Sequence, residues 1–167
     1  MLLFHGGTEV IEHPVIITSD QGRDFGFAFY TTDVRDQAER WARRRARYRS
    51  RIVDHEIAGR VCEYEFDENY CYDLSILRFS EPSLEWIDFV VANRSNLSFK
   101  HSFDIVIGNI ANDRVGETIS YVVQGIMRRE GALERLRFQH INRQFAFCAD
   151  KAISKLQFVR SYEVYNV

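Results

Sequence analysis

The chain has 167 residues, 46% hydrophobic and 28% charged, with a net charge of −2. Folding at this size buries roughly 70% of the unfolded surface, so an apolar core forms without disulfide or metal, and a disordered chain is excluded. No apolar run approaches the roughly 18 residues that span a bilayer, which argues against a membrane partner. The Met1–Gly7 start is too short and uncharged for a secretory signal. Three cysteines with no C-x-x-C pair fit a reduced, cytoplasmic setting.

In chain order, Leu2–Phe4 reads as a short strand running into His5-Gly6-Gly7, and residues 8–24 read as loop. Phe25–Thr31 is aromatic-rich and predicts a strand. Thr32 or Asp33 is positioned to cap a helix over Val34–Tyr48. Strand-like alternation runs from Ile52 to Phe66 with a break at Gly59, and Cys71–Phe79 suits a further strand or an irregular core segment. Glu81-Pro82-Ser83 opens a second helix, in which Trp86, Phe89 and Val90 read as core. Phe103–Gly108 is a continuous apolar run and predicts a buried strand. Gly116–Arg129 and Ala132–Phe138 look helical, Gln144–Phe147 is a short strand, Asp150–Ser154 a helical turn, and Leu156–Val164 a last strand. Short strands punctuated by separate helices predict one α+β domain over residues 1–167.

The charge is unevenly spread. Arg40 to Arg51 holds seven arginines and no acid in twelve residues, while the remaining 155 residues carry 15 basic and 24 acidic groups. At about 100° per residue, Arg40, Arg43, Arg44, Arg47 and Arg51 share one side of a helix, and Ala38, Trp41, Ala42, Ala46 and Tyr48 lie roughly on the other. Arg45 and Arg49 break the pattern. Such a face is either solvated or a docking surface for phosphate, nucleic acid or an acidic partner, with Arg43, Arg44 and Arg47 as candidate docking residues. Arginine suits planar, bidentate recognition.

Three local patterns carry candidate chemistry: His5 at a strand end before two glycines, which admit close approach of a ligand; Asp24-Phe25-Gly26-Phe27-Ala28-Phe29-Tyr30-Thr31-Thr32, with Trp41 eleven residues beyond Tyr30; and Gln144 entering the strand Arg143-Gln144-Phe145-Ala146-Phe147. The remaining histidines lack metal-ligand spacing. There is no phosphate-binding glycine loop, Rossmann fingerprint or nucleophile elbow. Cys148 reads as a structural thiol.

In this order the three patterns resemble the His-Tyr-Glu class of ADP-ribosyltransferases. The chain is similar, more closely, to an uncharacterised bacterial family of that superfamily, often found in toxin–antitoxin operons. The likeness is carried by F-H-G-G, D-F-G-F-A-F-Y-T-T, the Gln37–Ala42 helix, E-W-I-D-F-V-V-A-N-R, F-D-I-V-I-G-N-I-A-N-D and R-Q-F-A-F-C. It implies a split two-sheet core with flanking helices, clasping NAD as co-substrate without a metal. It also implies mono-ADP-ribosyl transfer to a macromolecule, protein or nucleic acid, plausibly by a cytoplasmic toxin held by an antitoxin protein. His5, Tyr30 and Gln144 would then be catalytic. His5 would meet the adenosine ribose, and the Gly6 backbone the carboxamide. Phe25, Gly26, Tyr30 and Thr31 would line the nicotinamide site, with Trp41 closing its other face.

Holding the ring flat while the glycosidic bond lengthens suits aromatic faces, and a polar group beside the ribose steadies the developing positive charge. Two departures bear on the chemistry. Ala28 stands where a second glycine is common, and Gln144 stands where many transferases have Glu. A neutral amide can bond a ribose hydroxyl but cannot act as a base, so Asp113 is the candidate for activating the acceptor. A non-catalytic ADP-ribose or nucleic-acid binding domain, or an NAD glycohydrolase, are the alternatives.

Overall fold

The computed structural model describes residues 1–19, 22–109, 113–137 and 143–165. The fold is α+β. Seven strands, β1 Leu2–Gly7, β2 Phe29–Thr32, β3 Gly59–Glu65, β4 Ile76–Arg78, β5 Ile105–Asn109, β6 Arg143–Phe147 and β7 Gln157–Val164, form one mixed sheet in the order β4-β5-β6-β2-β1-β3-β7. Only β4 and β5 run parallel. The helices are α1 Arg35–Val53, α2 Leu84–Ser95, α3 Asp113–Val123, α4 Arg129–Leu136 and the short α5 Asp150–Ile153.

Period-2 alternation sorts the strand side chains onto two faces. One face carries Leu3, Phe29, Cys62, Tyr64, Ile105, Ile107, Phe145 and Phe147, sealed by Phe66, Leu156 and α5. The opposite face is divided. Over β5, β6 and β2, the residues Val106, Ala146 and Tyr30 pack beneath α2, α3 and α4. Over β1 and β3, Phe4 and Val61 pack beneath Ala38 and Ala42 of α1. Two helical layers thus cover the two halves of one sheet, and the boundary between them follows the junction of β1 and β2.

That junction is a seam. β1 pairs with β3 through all six of its residues, and β2 pairs with β6 through all four of its own. Between β1 and β2 a single registered pair, Phe4↔Thr32, joins the halves. Small residues let α1 ride close to its half. A Cβ on Gly6 would lie 2.1 Å from the Ala38 carbonyl oxygen, and one on Gly59 would lie 2.8 Å from the Ala42 backbone. Beneath α1, Glu63 is 2% exposed and clasped by Arg160 at 2.7 Å and Arg35 at 3.2 Å.

The strand predicted over Phe25–Thr31 is replaced by a turn followed by β2. Gly26 has φ +83°, a left-handed conformation that ends any extended run there. Cys71 follows a single 3-10 turn at Glu68–Tyr70, which shortens the strand predicted over 71–79 to β4. α1 runs on past Tyr48 to Val53 because nothing in its Arg- and Ala-rich sequence stops it before Asp54 at φ 56°. α2 follows Glu81-Pro82-Ser83 as predicted, and Ser83 caps it, accepting from the Trp86 amide at 3.1 Å. At α1 the structure is different: the N-cap position is Val34, and Thr32 Oγ1 accepts the Val34 amide from just outside the helix.

Candidate functional site

The seam gathers the predicted residues from both sides. His5 lies on the face opposite α1, its ring stacked on Phe29 with centroids 4.6 Å apart. Its Nδ1 reaches across the gap to the Tyr30 carbonyl oxygen at 2.7 Å. A carbonyl only accepts, so Nδ1 carries the proton, and Nε2 of the neutral ring is left as an acceptor. Burial holds the His5 pKa below its ordinary value; the Tyr30 carbonyl opposes that, and the positive charges of Arg23 and Arg45 reinforce it. The imidazole is therefore kept neutral, with two guanidinium groups nearby.

Tyr30 lies on the α1 side of the sheet. Its hydroxyl donates to the Gly26 carbonyl at 2.5 Å and accepts from the Phe25 amide at 3.2 Å. Burial, reinforced by the Asp24 carboxylate, raises its pKa well above the usual phenol value, so it stays a donor. The 24–26 turn it grips is fixed from behind. Arg94 binds Asp24 at 2.6 Å, and His101 Nε2 donates to the Phe25 carbonyl at 2.9 Å while His101 Nδ1 accepts the Phe103 amide. A shallow recess beside this turn is lined by Arg23, Gly26, Phe27, Asn93, Leu97 and Phe99.

Gln144 shares the face of Tyr30, opposite Thr32 on one side and Gly108 on the other. It is 8% exposed. Cross-strand geometry puts the Tyr30 and Gln144 positions on one diagonal, roughly 7–8 Å apart. Among the described residues, Gln37 Oε1 on α1, Trp86 Nε1 on α2 and Asn109 Nδ2 at the end of β5 are buried without partners.

Trp41 is 44% exposed, and its direction follows from the wheel of α1. The Ala38–Ala42–Ala46 stripe is buried, and on one flank Glu39 and Arg43 reach Tyr162 and the Tyr165 carbonyl at the β7 side. Gln37, Trp41 and Arg45 occupy the other flank and overlook the seam.

Some predicted contacts have a different role. The Phe25 ring is fully buried against Phe79 and Phe89, and Thr31 is buried with its hydroxyl donating to the Phe145 carbonyl. Both build the walls and present no side chain to a ligand. Gly6 is glycine because a helix backbone approaches it; this explains the residue without any ligand. Gly26 supplies the turn. Arg43 is bound to Glu39 at 3.0 Å and so is no free docking cation; Arg44 stands over the Trp41 ring, and Arg47 is exposed. Asp113 opens α3; its side chain lies outside the described residues. Cys148 is partly buried with its thiol pKa pushed up to about 12 by burial, which fits an inert thiol.

Sequence reasoning missed Arg23 and Arg45 as neighbours of His5, Gln37 as an orphaned acceptor, and His101 as the brace of the turn. Arg45 and Arg49 did carry a signal as the two arginines off the helical pattern. Arg45 lies near His5, and Arg49 binds Thr8 and Glu9.

Among the described residues no helix is long and apolar enough to cross a membrane, and no group of three His, Cys, Asp or Glu side chains converges as a metal site. A family model described as a protein of unknown function (DUF3990) matches residues 1–158. The chain belongs to this family. Neither the curated proteins nor the solved structures contain a match.

Proposed function

We propose that the protein cleaves NAD at the nicotinamide–ribose bond and transfers ADP-ribose to a macromolecular acceptor, acting in the cytoplasm as the toxin of a toxin–antitoxin pair. The observation that carries this reading is the seam. The sheet divides between β1 and β2; His5 and Tyr30 border that division, Gln144 lies one strand beyond it opposite Thr32, and Trp41 overlooks it. The orphaned Gln37 Oε1 is a buried polar atom of the kind a polar ligand satisfies, and Gln144 adds a largely buried amide.

The residues divide the work as follows. His5 Nε2 accepts a ribose hydroxyl, and the neutral ring avoids adding positive charge beside a centre that becomes positive. Arg23 and Arg45 suit the pyrophosphate. The Tyr30 ring, locked through its hydroxyl to the turn, and the Trp41 ring offer two aromatic faces for the nicotinamide. Gln144 orients the ribose through its amide. The C1′–N1 bond breaks, the electron pair leaves with nicotinamide, and the acceptor atom bonds C1′ and gives up its proton to solvent or to Asp113. Gln144 cannot take that proton.

The absence of a carboxylate at position 144 also favours two lesser readings, an ADP-ribose binder without turnover and an NAD glycohydrolase. Incubation with labelled NAD and lysate, followed by separation of protein and nucleic acid, distinguishes the three. Label on a macromolecule supports transfer, free nicotinamide without label indicates hydrolysis, and neither product rejects catalysis.

A further inference from the structure

The outer surface of α1 carries two parallel strips. At 100° per residue, Arg40, Arg44, Arg47 and Arg51 fall within an arc of about 60°, and Tyr48, Trp41 and Ile52 within the next arc of about 40°, on the flank that overlooks the seam. Every one of these side chains is exposed, Tyr48 and Ile52 at 63% each. Arg44 already stands over the Trp41 ring at 5.7 Å. Arg43 is withdrawn to Glu39 and Arg49 to Glu9, while Arg40, Arg47 and Arg51 lie outward in a stretch, residues 40–51, whose sequence contains no acid.

We propose that this surface binds single-stranded nucleic acid, phosphates along the arginine strip and bases against Tyr48 and its apolar neighbours. Charge complementarity selects a polyanion: seven arginines lie in twelve residues of a chain whose remainder is acidic. The exposed aromatic strip beside them selects unpaired bases, because a duplex hides its base faces while a single strand offers them for stacking. Trp41 and Tyr48 are about 10 Å apart along the axis, within the reach of a strand a few nucleotides long. The docking shares only Trp41 with the NAD reading and is carried without it by the arginines and Tyr48; that the docked strand is itself the acceptor rests on that reading.

The test is fluorescence anisotropy of the full chain with labelled 12-nucleotide oligo-dT and oligo-U, and with a duplex and polyglutamate as competitors. Three phosphate contacts, from Arg40, Arg47 and Arg51, predict an affinity loss of about 20-fold between 50 and 200 mM salt. The triple variant Arg40→Glu/Arg47→Glu/Arg51→Glu is expected to lose at least 100-fold and most of the salt slope, and Tyr48→Ser about tenfold. All three arginines and Tyr48 are exposed, so circular dichroism should remain that of wild type. Absence of oligonucleotide binding at 50 mM salt overturns the proposal. So does binding indifferent to both variants, and so does stronger binding of duplex or polyglutamate; the last would assign the surface to an acidic protein. With labelled NAD added, label on the bound oligonucleotide supports both readings. Binding without label keeps the surface and removes the strand as acceptor.

Discussion

Gly6→Ala separates two reasons for a glycine beside His5. If the glycine serves a ligand, alanine lowers activity and leaves stability alone. The structure argues the reverse. The new methyl would sit 2.1 Å from the Ala38 carbonyl oxygen, 3.0 Å from the Ala38 carbonyl carbon and 3.0 Å from the Ala42 amide nitrogen. These are backbone atoms of a 19-residue helix, so no side chain can rotate away, and α1 must lift from β1. Overpacking commonly costs 1–3 kcal/mol, and contact this short with backbone belongs at the upper end, about 3 kcal/mol. For a domain of this size that lowers Tm by about 6–12 °C. Gly7→Ala is the matched control. Its methyl would meet only the His5 ring, at 3.5 Å from Nε2, an ordinary contact distance. It should leave Tm within about 2 °C while crowding the one free nitrogen of His5, and so reduce NAD turnover. Thermal unfolding of both variants with NAD turnover on the same preparations is the assay. A Gly6→Ala protein with wild-type Tm would refute the helix-packing argument.

The remaining predictions concern the seam. His5 resists protonation in the folded chain but takes a proton at its ordinary pKa of 6.5 once unfolded. Its contribution is therefore complete above that pH and declines as the pH falls below it; wild type should lose Tm between pH 6.5 and 5 more steeply than His5→Gln, and equal slopes would reject the assignment. Trp41→Ala should weaken NAD binding with little loss of stability, whereas the fully buried Trp86 should cost roughly 3–5 kcal/mol on truncation; equal NAD affinity for wild type and Trp41→Ala excludes Trp41 from the site. Gln144→Ala should slow nicotinamide release by roughly 10²–10³, while Gln144→Glu should speed release to water by adding negative charge beside the ribose. If both variants match wild type by nicotinamide chromatography, Gln144 has no part in the reaction.

The strands and helices were legible wherever one local rule acted alone. Ser83 capped α2, the apolar run at 103–108 became the buried β5, and the glycine break placed β3. The aromatic segment misled because β propensity was overridden by a single backbone requirement, the left-handed Gly26 that turns the chain so that the Tyr30 hydroxyl can hold it. The meaning of Gly6 was not legible either. A glycine shielded by a helix and a glycine open to a ligand read alike until Ala38 is seen above it. Likewise the wheel of α1 located the buried alanines, but only contacts with β7 show which flank faces the seam. The Arg35–Glu63–Arg160 clasp joins residues far apart in sequence and leaves no local trace.

On the proposed reading, the bracing of the sheet makes the seam the place for chemistry. Each half is tied internally: β1, β3 and β7 by full ladders and the buried Glu63 clasp, β2 and β6 by their ladder and by the Thr32 hydroxyl donating to the Arg143 carbonyl. Arg143 also binds Asp33 at the start of α1. Across the division the strands share one registered pair and the His5–Tyr30 hydrogen bond. Backbone groups in a sheet interior are normally paired, and unpaired ones are tolerated where water or a ligand completes them. His5 substitutes for the missing ladder on one side of the gap, while Gln37 leaves its Oε1 unanswered on the other. An apolar filling would have closed this gap at lower cost in buried polar groups. The sequence instead places an imidazole held neutral, a phenol held protonated and an uncharged amide in this region, with the positive charges of Arg23 and Arg45 near His5. That combination suits a ligand with an anionic end and an end that becomes cationic, and it leaves the proton of the acceptor to be removed outside the triad.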